Sequence, residues 1–316
     1  MRKALSYVLV GIGVFGLVLA AGLRFYAPSR AVKTPLNLNI KLVSTGPATL
    51  LNASSGQQDQ ANLVATRLVR TDSAASDSKV TVVQETLCVM RDVDDPPQCG
   101  DNNRDPRIVD ISTDRVAADR KSAESVNDSK YGENINGDTN VKHVGLSYKW
   151  PFHSKKQTYK FFDPISRQAP DARFIGTEKI GGLNLYKYQA DITNIDLPVD
   201  NAGKIPGKYS DTRIVWVDPV TGVIVKGTEH QVRTLADGTP AADTTLTFNQ
   251  DAVNYQLKQA KDGRNKIDLL TVWLPLIALV LGLVFLGAGL VVLSQQSGPR
   301  AEPPATAASE PPLERV

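Results

Sequence analysis

Two uncharged apolar runs, Leu5 to Leu23 and Leu269 to Leu293, bracket a long polar middle and constrain every other reading of this chain. They hold 19 and 25 residues, and about 20 apolar residues cross the hydrocarbon core as a helix. The layout that follows has five parts. A cytoplasmic head (1–4) precedes transmembrane helix 1 (5–23), a β-rich extracytoplasmic domain (24–268), transmembrane helix 2 (269–293) and a cytoplasmic tail (294–316). Arg2 and Lys3 with Val18-x-Ala20 also fit a cleavable signal peptide. The length of the run, and Phe25 and Tyr26 at the interfacial position, favour an uncleaved anchor.

Orientation rests on opposing signals. Arg24, Arg30 and Lys33 after the first run, and Lys258, Lys261, Arg264 and Lys266 before the second, favour a cytoplasmic middle. Long domains, however, are exported largely regardless of charge. The basic head and a lone cysteine pair favour the outside. The expected location is therefore the cell membrane, crossed twice, with the large domain outside and both termini in the cytoplasm.

Neither run carries an Asp, Glu, Lys, Arg or His, so neither reads as an ion path or proton relay. Gly16 with Ala20, and Ala278 with Gly282, give each run a small-residue face. Such faces serve packing between the two helices or contact with a second copy. The tail carries Pro299, Pro303, Pro304, Pro311 and Pro312 among Ala, Ser and Glu, a composition that builds no core.

A net charge of +3 with 22% charged residues gives no reason to expect nucleic acid as a partner. The middle reads as β. Leu36, Leu38, Ile40 and Leu42 alternate with polar neighbours, and similar runs fall at 63–69, 79–90, 184–192, 213–218 and 222–235. Helical periodicity is confined to Asp114–Val126 and Asp251–Lys261. Asp163-Pro164-Ile165-Ser166 and Asp218-Pro219-Val220-Thr221-Gly222 each follow an apolar run and spell turns in which aspartate caps its own loop. The expected fold is mainly β: a curved antiparallel sheet, half-barrel-like, flanked by the two transmembrane helices.

Cys88 and Cys99 flank an acidic, proline-bearing loop and are expected to form a disulfide in an oxidising compartment. No metal or catalytic set is expected. Gly11-Ile12-Gly13-Val14-Phe15-Gly16 matches a dinucleotide fingerprint only in spelling, because it lies inside an apolar span. His143, His153 and His230 are isolated in sequence. The clusters Asp92, Asp94, Asp95 and Asp101, Asn102, Asn103, Asp105 lack the calcium-loop pattern, and Asn134, Asn136, Gly137 and Asp138 read as a turn. Ser147 lacks the second glycine of a nucleophile elbow. No cofactor is expected.

The densest aromatic stretch is Tyr148, Trp150, Phe152, Tyr159, Phe161 and Phe162, with Lys155, Lys156 and Lys160 close by. Aromatic faces fill cores and also line pockets for apolar ligands. These six are the candidate ligand-binding residues.

Four strings resemble an actinobacterial family of two-anchor envelope proteins, the porin PorA family, also known as a domain of unknown function. They are STDRVAADRKSAESV, VKHVGLSYKWPFHSKKQTYKFFDP, VWVDPVTGVIVKGTEHQ and KDGRNKIDLLTVWLPLIALVLGL. The resemblance runs from about Leu36 to Leu293 and implies an external middle domain, with no catalytic residues to carry over. The residues and the resemblance give two readings. One is a non-enzymatic envelope protein whose β-domain binds an apolar or amphiphilic ligand, a lipid or glycolipid, or an envelope partner. The other is a porin or transport component acting as an oligomer through Gly16, Ala20, Ala278 and Gly282.

Overall fold

Period-2 alternation in the middle of the chain becomes one antiparallel sheet. The computed structural model describes residues 2–26, 32–52, 54–96, 105–200 and 203–296, and the chain divides into a helical unit (1–30 with 268–316) and a sheet unit (31–267). The strands are β1 Asn39–Leu51, β2 Gln58–Asp72, β3 Val80–Arg91, β4 Ile108–Asp119, β5 Asn134–Ile135, β6 Tyr159–Lys160, β7 Asp171–Ile180, β8 Leu183–Asp196, β9 Gly207–Val217, β10 Ile224–Leu235 and β11 Pro240–Phe248. Their order is β5-β4-β3-β2-β1-β11-β10-β9-β8-β7-β6. The chain meanders from β1 out to one edge, crosses to the opposite edge, and meanders back until β11 pairs with β1.

Segment 120–158 makes that crossing and joins the two edges. Val126 N–H donates to the Ala117 carbonyl on the β4 side at 2.8 Å, and Ser125 N–H donates to Gly145 at 2.9 Å. Leu146 N–H donates to Lys160 at 2.8 Å and its carbonyl accepts from Phe162 at 2.7 Å. Two short bridges thus carry backbone pairing from β4 to β6. Electrostatics gives the same curvature. Glu85 on β3 feels Arg213 on β9 and Glu229 on β10, although four or five strand spacings would put them roughly 19–24 Å apart in a flat sheet.

Sequence-read strands at 63–69, 79–90, 184–192, 213–218 and 222–235 all lie on or across observed strands. The helical reading of Asp114–Val126 is overturned. Asp114 to Asp119 is the second half of β4, paired with β3, and a turn follows. The second helical reading holds as α2, here Gln250–Asp268, with α1 being Arg2–Ala21. Asn249 Oδ1 accepts the Ala252 N–H at 2.9 Å as an N-cap. Val253, Leu257 and Ala260, at helical spacing, then bury against Leu183, Leu185, Trp216 and Val225 on the outer face of the sheet.

Both aspartate turns form as spelled. Asp163 Oδ2 accepts from the Ser166 N–H and hydroxyl, and Asp218 Oδ2 from those of Thr221. Gly222 sits at φ +74°, and a Cβ there would strike the Trp150 carbonyl oxygen, so position 222 requires glycine on two counts.

In the helical unit, α1 packs on α3 (Leu274–Gln296). A Cβ on Gly16 would lie 2.8 Å from the Gly282 Cα and 3.2 Å from the Ala278 carbonyl. The small-residue faces therefore meet within one chain, and this packing occupies Gly16, Ala278 and Gly282 as well as the buried Ala20. Most other side chains of both helices, including Leu5, Phe15, Ile277 and Val284, are exposed apolar surface. Both helices are long and apolar enough to cross a membrane. The tail from residue 297 onward lies outside the described residues.

Candidate functional site

Along β2 the inward positions are Leu63, Ala65, Arg67 and Val69; along β3 they are Val83, Glu85, Leu87 and Val89. Along β10 they are Gly227, Glu229, Gln231 and Arg233. Together with Leu42 and Leu50 of β1, Val116 of β4 and Leu246 and Phe248 of β11, these side chains line a lumen of about 630 Å³. Strand alternation explains the set, since every second residue faces the same side. The lumen is mostly aliphatic, crossed by a belt of charges.

Those charges are paired across strands. Arg213 and Glu229 are direct partners in the β9–β10 register and meet at 2.6 Å. Asp163 lies 3.1 Å and Asp211 3.4 Å from the same guanidinium. Arg67 meets Glu85 at 3.0 Å. Asp114, directly opposite Glu85 in the register, is bonded to His143 at 2.8 Å. Burial pushes Asp211 up to about 8, against the pull of Arg213. Burial also acts to raise Glu229, but Arg213 and Arg67 outweigh it and hold the group below its ordinary value.

The oxygens of Asp163, Asp211 and Glu229 lie within 4.8 Å of one another. That spacing suits a cation, and the Arg213 guanidinium already supplies one, so the trio reads as an ion-pair cluster. His143 is fully buried with Nε2 on Asp114 and Nδ1 3.8 Å from Glu133. Both ring nitrogens face carboxylates, which leaves neither to activate the Ser147 hydroxyl. His230 pairs with Asp243 on the exposed surface, and His153 lies in a left-handed turn.

The six aromatics separate into three groups. Tyr148, Phe161 and Phe162 line the lumen. Trp150 and Tyr159 pack behind it in a core with Phe161, Tyr188 and Val217, with the Trp150 ring 4.7 Å from Phe161 and 5.4 Å from Tyr188. Phe152 lies outside the lumen lining, beneath the Lys149 ammonium at 3.7 Å. Lys155, Lys156 and Lys160 are exposed and absent from the lining; Lys160 pairs with Asp171 and Lys156 covers the Phe174 and Tyr186 rings. Cys88 is buried on β3, whereas Cys99 falls outside the described residues. No free thiol occurs among the described residues.

Sequence reasoning missed the charged belt. Its signal was present: Arg67 interrupts an apolar i, i+2 series on β2, and Glu85 interrupts one on β3.

The family profile described as Porin PorA matches residues 5–291. A protein named Porin PorA from Corynebacterium amycolatum is 23% identical over 288 residues, covering 70% of this chain and 72% of its own. Another of that name from Corynebacterium resistens is 22% identical over 409 residues, covering 92% and 97%. With a family match across nearly its whole length, this chain belongs to the Porin PorA family.

Proposed function

We propose that this is a non-enzymatic envelope protein whose β-domain holds an amphiphilic ligand, a lipid or glycolipid, in its lumen. The observation that carries this is the lumen itself. Its volume of about 630 Å³ falls within the roughly 300–1,000 Å³ typical of ligand pockets, and its wall combines aliphatic side chains with a few fixed charges. Tyr148, Phe161 and Phe162 contribute aromatic contact, while Trp150 and Tyr159 support them from behind. In this reading the spans 5–23 and 269–293 anchor the chain, domain 24–268 is outside, and head 1–4 and tail 294–316 are cytoplasmic. Cys88 is bridged to Cys99. Full-length protein purified in mild detergent is expected to release a bound lipid on solvent extraction, detected by mass spectrometry. A Leu63→Trp variant, which fills the lumen, is expected to release none. Equal lipid recovery from both proteins would refute the reading.

The names of the relatives favour a second reading, a porin. The apolar runs of the two helices carry no Asp, Glu, Lys, Arg or His, so conduction on this reading needs an assembly of several copies with a polar path. Conductance steps in planar bilayers, abolished by a lumen-filling substitution, would favour it over ligand storage.

A further inference from the structure

We propose that the head group of the bound amphiphile is anionic and that Arg233 anchors it at one end of the lumen; this rests on the reading that the lumen holds an amphiphile.

Of the arginines that line the lumen, three have carboxylates. Arg67 is matched by Glu85 at 3.0 Å and Arg213 by Glu229 at 2.6 Å with two further acids. Arg91 has Asp59 at 3.7 Å. Arg233 differs. Its Nη1 donates to the Val199 carbonyl at 3.3 Å, and its guanidinium lies 5.8 Å from the Tyr209 ring centre. Neither contact is an anion, and among the described residues no carboxylate stands at ion-pair distance from it. A guanidinium offers five N–H donors in a planar fork suited to carboxylate or phosphate, and most of those of Arg233 remain for a ligand.

Two acids also line this end of the lumen. Asp200 Oδ1 is occupied by the Lys204 and Ile205 N–H groups at 2.9 and 2.6 Å. Asp110, on β4, likewise stands beyond ion-pair distance of Arg233. Deeper in, the belt around Arg213 holds more carboxylates than cations and would repel an anion. An anionic head is thus directed to Arg233 and away from the centre.

The surroundings of Arg233 suit a chain attached to that head. In the register Arg233 faces Ala242, and Ala242 faces Leu50 on the next strand. Leu50, Leu63, Val89 and Leu246 continue as one aliphatic cluster along the lumen wall. A fixed charge next to a continuous apolar wall is a site for a single-headed amphiphile.

The test uses full-length protein in nanodiscs of zwitterionic phosphatidylcholine, with empty nanodiscs subtracted. The probes are cis-parinaric acid and its methyl ester, read by fluorescence. The acid is expected to bind more tightly than the ester. Arg233→Gln should weaken the acid by roughly tenfold or more, the loss of a charge-assisted hydrogen bond. It should leave the ester unchanged, which also serves as the control for folding, and Arg233→Lys should restore part of the difference. Competition by oleic acid alone assigns a carboxylate head and competition by lysophosphatidic acid alone a phosphate; either supports the inference. Equal binding of acid and ester, both unaffected by Arg233→Gln but lost in Leu63→Trp, would overturn the anionic anchor and leave lumenal binding standing. Tighter binding of a long-chain trimethylammonium probe would overturn it as well. Binding of neither probe would defeat the ligand-holding reading together with this one.

Discussion

Replacing Asp211 by Asn tests the charged belt where its energetics are most lopsided. Asp211 is 4% exposed and one of three acids sharing the Arg213 guanidinium. Burial raises it from 3.8 to about 8, so at neutral pH the native protein keeps a proton that the unfolded chain releases. Stability therefore falls as pH rises between those two values, by about 1.4 kcal/mol per pH unit. From pH 5 to pH 7 the loss reaches about 3 kcal/mol. Neighbouring groups leave this window clear or share its sign. Glu229, held low, contributes stability that is present above its unfolded value and is lost only as pH falls below that. Lys149, lowered by burial to about 7, adds a rising term only above that value. Glu85, raised by burial, slopes in the same direction as Asp211 and is common to both proteins. Asn mimics the protonated acid at every pH. The Asp211→Asn variant should melt with the parent only below about pH 3.8; at pH 5 it should melt about 3–7 °C higher and at pH 7 about 9–18 °C higher, at roughly 2–4 °C per kcal/mol for a domain of this size. Trp150 and Trp216 lie in the β-domain and report its unfolding by fluorescence. A variant equally stabilised at both pH values, or destabilised at pH 7, would refute an acid held protonated by burial.

Two further outcomes are expected. Trp150→Ala removes a fully buried ring from the cluster that joins the crossing segment to β8 and β9, and should cost about 3–5 kcal/mol in a denaturant titration. Alkylation of the native, unreduced protein should leave both cysteines unlabelled, and Cys88→Ser should lower stability by about 2–3 kcal/mol by freeing the unfolded chain; labelling of both thiols would instead place the domain in a reducing compartment.

What the sequence discloses about the fold is its local period. Runs such as LVATRLV and RIVWVD alternate strongly enough to be read as strands, and the two aspartate turns carry their own capping chemistry. β4 was misread because Asp114, Arg115, Asp119, Arg120 and Lys121 swamp the apolar signal of Val116 to Ala118, while the true pattern depends on partners far away in the chain. β11, PAADTTLTF, carries little alternation because few of its positions are fully buried. Its pairing with β1 joins residues about 200 positions apart, such as Ser44 and Phe248. Nothing in either segment alone names the other, so closure of the meander was out of reach. The small-residue faces of the helices were legible; that they meet within one chain was not.

The candidate site was half legible, and for a physical reason. Aromatic density pointed to Tyr148 through Phe162, but density does not say which ring faces a lumen and which fills the core behind it; Trp150 went to the core and Tyr148, Phe161 and Phe162 to the lining. The more telling residues were charges placed where a strand's buried face requires an apolar side chain. In a face packed against another layer, an isolated Arg67 or Glu85 would lose its hydration with nothing to replace it, at a cost of several kcal/mol. Such a face is tolerable when partners arrive from neighbouring strands and the interior stays open to polar matter. Arg67 finds Glu85 on the next strand, Arg213 finds Glu229, and Asp114 finds His143 from the crossing segment. Charges recurring at the inward positions of β2, β3, β4, β9 and β10 therefore mark a lumen in this fold, and Arg233, which finds only a carbonyl and a ring, marks the place in it where an outside anion fits.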